Sequence, residues 1–169
     1  MAEQVEIFRF VFRHFWLIAI VFMLFGLATM NFQLRREYPD DLEERHTARR
    51  FRIQAAIVLL IPWIVMGIGI VIGGVPTMLH YFRPQDGNPY VTAWWLSIFV
   101  LWFAGLIWVF QGNEEKLHKY YLSKNAKHPF LNALPPKLLY VLSVLPSAAG
   151  FIFCWLIDLP VEEFSFLYE

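Results

Sequence analysis

Residues 54–74 read QAAIVLLIPWIVMGIGIVIGG, twenty-one positions without one formal charge. Wound as an α-helix, which rises 1.5 Å per residue, the stretch covers about 30 Å, the thickness of a bilayer's hydrocarbon core. In lipid a backbone has to satisfy its own hydrogen bonds, and a helix does so within one segment. Three more stretches share this character, at residues 15–32, 92–110 and 138–159. The fold class that follows is all-α, an integral membrane bundle of four transmembrane helices.

Composition points the same way. Of the 169 residues, 58% are hydrophobic and 18% aromatic, more apolar surface than a soluble domain of this size can bury, whereas lipid can cover it. The length allows one membrane domain over residues 1–169. Net charge is zero, so no global field attracts nucleic acid, and the expected partner is the lipid bilayer. The single cysteine, Cys154, excludes an internal disulfide and any CxxC redox or metal motif; inside an apolar run it reads as a small buried hydrophobe. Arg9 and Arg13 precede the first apolar stretch as in a signal peptide. That stretch is longer than a signal-peptide core and ends at Arg35 and Arg36, so an uncleaved helix is expected.

Residues 1–14 interleave charge with Val5, Ile7, Phe8 and Phe10, the pattern of an amphipathic ribbon at the membrane surface that runs on into the first span. The loop 33–53 carries six arginines and five acids. Within it Pro39, Asp40 and Asp41 read as a helix start, Asp41 and Arg45 as an ion pair four residues apart, and Arg45, Arg49 and Arg52 as one basic stripe. In the second span Pro62 removes a backbone donor, and Gly69 with Gly73 forms a GxxxG pair that admits another helix at close range. The loop 75–91 turns at Pro84 and at the DGNP run over 86–89. Trp94, Trp95 and Trp108 belt the two mouths of the third span. In the loop 111–137, NEEKLHKYYL prolongs that span as helix until His128–Pro129 and Pro135–Pro136 break it. The fourth span offers Ser143, Ser147 and Gly150 as small or hydrogen-bonding surfaces for a neighbouring helix.

Lys and Arg number two before the first span, six in loop 33–53, one in loop 75–91 and five in loop 111–137. The positive-inside rule therefore expects loops 33–53 and 111–137 in the cytoplasm, with loop 75–91 and both termini outside. Arg9 and Arg13 alone pull the other way.

No Asp, Glu, Lys, Arg or His stands mid-span. One there costs about 2.5–3.5 kcal/mol on insertion scales and is kept chiefly for function, so a proton pump, a voltage sensor or a histidine-held haem is not expected. The five histidines show no i, i+4 pair and no HExxH, so no metal and no cofactor is expected. The one polar cluster worth testing at the outer rim is His80, Arg83, Asp86 and Asp158.

The run WIVMGIGIVIGGVPTMLHYFRPQDGNPYVTAWW over 63–95, with FRFVFRHFW over 8–16, resembles a group of small bacterial inner-membrane proteins that have no established activity. The resemblance implies an inner-membrane protein and transfers no catalytic residue. The functional expectation is an interaction or accessory subunit that meets membrane-protein partners, or a second copy, through small-residue helix faces. The alternatives are a small transporter or channel subunit lined by the proline-bearing second and fourth spans, and a membrane enzyme acting at the outer rim.

Overall fold

In the computed structural model the described residues are 2–122 and 134–157, with side chains described over 6–120 and 134–157. They form an all-α bundle, and four helices are long and apolar enough to cross a membrane. Helix α1 spans Ala2–Glu37, α2 Leu42–Val71, α3 Pro89–Trp108 and α4 Pro136–Leu156. Each packs antiparallel on the one before it: Trp16 of α1 lies on Gly67 of α2, Tyr90 of α3 on Gly73, and Tyr140 of α4 on Gly105 of α3.

The arginine-rich region 33–53 is far more helical than a loop. Helix α1 continues to Glu37, and only residues 38–41 separate it from α2. The helix start expected at Pro39–Asp41 is there: the Asp41 carboxylate accepts from the Glu44 amide at 2.8 Å, an N-cap that satisfies an otherwise orphaned donor. That use of Asp41 corrects the expected Asp41–Arg45 pair. Arg45 instead donates to the Tyr38 and Pro39 carbonyls at 2.6 and 2.7 Å, filling acceptors that α1 leaves open at its C-terminal end. The expected basic stripe is divided in the same way. Arg52 pairs with Glu37 at 2.7 Å and donates to the Tyr120 carbonyl at 3.1 Å, while Arg49 stays exposed.

Helix α2 runs through Pro62 unbroken. Asn88 caps α3 through the Tyr90 amide, with Pro89 in the first turn, where its missing donor costs nothing. Beyond Trp108 the helix widens into a π-type turn over Val109–Asn113, in which Gly112 takes φ +92°, a conformation that L side chains rarely adopt. Glu114–Leu117 returns to α geometry and His118–Leu122 widens again. Proline opens α4 as well, with Pro135 at the cap and Pro136 in the first turn. Expectations at His128–Pro129 and at Asp158 lie outside the described residues.

Two apolar clusters hold the bundle, one at each end. At the arginine-rich end Met30, Leu34, Tyr38, Ala48 and Tyr120 are buried together. At the other end Met66, Ile70, Val75, Tyr81, Val91, Trp94, Trp95 and Cys154 pack around the connection from α2 to α3. Cys154 is thus the small buried hydrophobe expected of it.

Candidate functional site at the loop-capped end

The connection from α2 to α3 folds back as a cap. Val75 and Thr77 are buried, and two 3-10 turns follow, Met78–Phe82 and Pro84–Asp86, closed by Gly87 at φ +68°. The pin of this cap is Tyr81, which is fully buried. Its hydroxyl lies where a Gly69 side chain would start and donates to the Met66 carbonyl at 2.9 Å. Its own carbonyl accepts from Trp95 Nε1 at 2.8 Å. Burial pushes the Tyr81 phenol up to about 12, so the hydroxyl remains a donor across the physiological range. Trp94 meets the Tyr81 ring edge-on at 5.4 Å, and Trp95 meets Phe151 of α4 at 4.7 Å.

Within this cap the structure brings together three of the four residues read from sequence as an outer-rim cluster. Arg83 Nε stands 3.4 Å from Asp86 Oδ2. His80 Nδ1 lies 3.2 Å from the Thr77 hydroxyl. Desolvation lowers the His80 pKa, and nearby Arg83 pulls it down further, against the opposing pulls of Thr77 and Asp86. Asp158 lies outside the described residues. Among the described residues no three His, Cys, Asp or Glu side chains converge as metal ligands.

Gly69 and Gly73 stand under rings of the same chain, Tyr81 and Tyr90 for Gly69 and Tyr90 for Gly73. Ser143, Ser147 and Gly150 lie apart from the cap. All three are exposed along α4, the Ser143 hydroxyl donates to the Tyr140 carbonyl at 2.7 Å, and a side chain at Gly150 would meet nothing within 4 Å.

Sequence reasoning missed a pocket beside the cap. A cavity of about 220 Å³ opens between α1 and the end of α2, with Arg9 and Arg13 on one wall and Ile70, Val75 and Thr77 opposite. The two arginines are four apart and so share one face of α1. That spacing was visible in the sequence, but the wall that α1 would lean against was not. Gly74, at φ +69° and with open space where a side chain would stand, completes the pocket without filling it. No protein-family model, curated protein or solved structure matches this chain.

Proposed function

We propose that this protein is an accessory subunit of a bacterial inner membrane that binds a transmembrane helix of a partner protein through α4. The observation that carries the reading is the uncovered small-residue stripe on α4. Of its described side chains only Cys154 is buried. It meets α3 through Tyr140 over Gly105, with the Tyr140 hydroxyl 3.3 Å from the Trp102 carbonyl, and through Phe151 between Trp95 and Phe99. Ser143, Ser147 and Gly150 border that packed face and stay uncovered. Gly67, Gly69, Gly73 and Gly105 of the neighbouring spans, by contrast, each lie under an aromatic ring of this chain. Helices meet in lipid by close backbone approach at small residues and by hydroxyl hydrogen bonds, which an open stripe of this kind offers.

The placement in the membrane belongs to the same reading. Arg35, Arg36, Arg49 and Arg50 are exposed at the arginine-rich end, and the positive-inside rule puts that end in the cytoplasm. The cap and the amino terminus then face outward.

Gentle purification from native membranes, followed by mass spectrometry, tests the reading. A stoichiometric partner is expected, lost when Ser143→Leu and Ser147→Leu fill the stripe and kept when exposed Leu96 of α3 is changed to Phe. A protein that purifies alone, or a partner indifferent to the leucines, refutes it.

A further inference from the structure

We propose that the groove between α1 and α2 at the arginine-rich end holds one phospholipid, with an acyl chain in the groove and the phosphate on Arg49. Met23, Gly26 and Gln33 of α1 and Arg52, Ala56 and Leu59 of α2 line it. Its volume is about 220 Å³. That is too little for a partner helix, which measures about 10 Å across with its side chains, but it admits a hydrocarbon chain. From Met23 to Gln33 the groove follows α1 for about 15 Å, half of the hydrocarbon core and so the depth of one leaflet. Its character changes along that length. The deep end is apolar at Met23 and Leu59. Midway Gly26 leaves it open, since a side chain there would meet nothing within 4 Å. The shallow end is polar, with Gln33 as the first residue beyond the apolar run 15–32 and Arg52 on the facing wall.

Charge at the shallow end selects the occupant. Arg52 is already taken by Glu37 and by the Tyr120 carbonyl, so this ion pair adds no net charge. Arg49 stands three residues from Arg52 and seven from Ala56, a spacing that keeps it on the groove's side of α2. It is exposed, and neither it nor the Gln33 amide has a hydrogen bond or ion pair among the described residues. A guanidinium offers a phosphate two parallel hydrogen bonds, and the Gln33 amide offers N–H donors to a carbonyl. A hydrocarbon chain that begins at a carbonyl and carries an anion just beyond it is a phospholipid, read as chain, ester and phosphate in that order. The site uses no residue of α4, so it stands or falls apart from the partner-helix reading above.

The experiment is native mass spectrometry of the purified full chain in a mild detergent. It is titrated separately with phosphatidylglycerol, with diacylglycerol of the same chains, and with glycerol phosphate. Phosphatidylglycerol is expected to be retained over diacylglycerol, which lacks the phosphate, and glycerol phosphate, which lacks the chains, should not displace it. Gly26→Leu places a side chain in open space, so the fold should stand while the filled groove no longer retains the lipid. Arg49→Gln, a surface change, should weaken retention about fivefold, the order expected of one arginine at an anionic surface. Arg49→Lys should fall between, because it keeps the charge and loses the fork. Two changes turned away from the groove, at exposed Ala28 and exposed Arg50, serve as controls, and Ala28→Leu and Arg50→Gln should leave retention as it was. Equal retention of diacylglycerol, displacement by glycerol phosphate, unchanged retention in Gly26→Leu, or an equal loss in Arg50→Gln would overturn the proposal.

Discussion

At the scale of single residues, Tyr81 and Gly69 form one device. The ring occupies space that only glycine leaves, and the hydroxyl reaches the Met66 carbonyl because no Cβ stands in between. Gly69→Leu should therefore evict Tyr81 and destabilise the bundle by about 3 kcal/mol or more, an overpacking cost compounded by a broken buried hydrogen bond. Tyr81→Phe keeps the ring and loses the bond, and should cost only about 1 kcal/mol. Tryptophan fluorescence during unfolding by dodecyl sulfate ranks the two, and equal midpoints would show that Tyr81 does not pin the cap. His80 adds a pH dependence at the same place. Its folded pKa lies below the ordinary 6.5 because burial disfavours the charged ring. The unfolded chain therefore takes up the proton first as pH falls. The stability that His80 contributes is complete above about pH 6.5 and is lost as pH drops from there through the lower folded value. Melting temperature should fall over that window in the native chain, and His80→Gln should flatten the fall; an unchanged slope would take the effect away from His80.

Among the elements, the arginine-rich turn shows what sequence spacing can and cannot assign. The residues of the α2 start were legible, because Asp41 stands where an N-cap belongs, three residues before the Glu44 amide it binds. The arginine partners were not legible. Periodicity places Arg45, Arg49 and Arg52 on one stripe, but whether a guanidinium meets lipid, a carboxylate or a carbonyl depends on which element ends beside it. Here α1 ends beside Arg45, and the turn at Tyr120 comes down beside Arg52. Those contacts join sequence positions up to 68 residues apart, beyond the reach of any local pattern. Arg52→Gln leaves Glu37 without this ion pair and the Tyr120 carbonyl without this donor, in surroundings where both members of the pair are mostly shielded from water. A loss of about 2 kcal/mol is expected, less than a fully buried pair would show, whereas Arg49→Gln should stay within about 0.5 kcal/mol. Comparable midpoints for the two variants in the same unfolding titration would mean that Arg52 is one more solvated arginine. Gly112 was equally hidden, since nothing around it in the sequence marks φ +92° within an otherwise helical run.

For the whole molecule, hydropathy was enough to read four spanning helices, because lipid leaves a long apolar segment little alternative to a helix. It could not tell which small residues the chain keeps for itself. Gly69 and Gly73 carry the recognisable GxxxG spacing yet lie under Tyr81 and Tyr90, while Ser143, Ser147 and Gly150, with weaker spacing, remain open. The difference arises because α3 turns back onto α2 through the cap, whereas α4 meets α3, the cap and Glu114 on a face that leaves those three residues outside it. The orientation proposed from charge can be measured with single cysteines. Cys154 is buried, so Cys154→Ser gives a cysteine-free chain at the small cost of one core contact. Single cysteines can then be placed at exposed Arg49 of the arginine-rich end and at exposed Gln85 of the cap. In intact cells a membrane-impermeant maleimide should label Gln85→Cys and spare Arg49→Cys, and permeabilisation should expose both. The reverse pattern would place the cap and the amino terminus in the cytoplasm. Labelling of both in intact cells would mean a mixed topology, in which Arg9 and Arg13 compete with the six arginines of the loop 33–53 to decide which end stays inside.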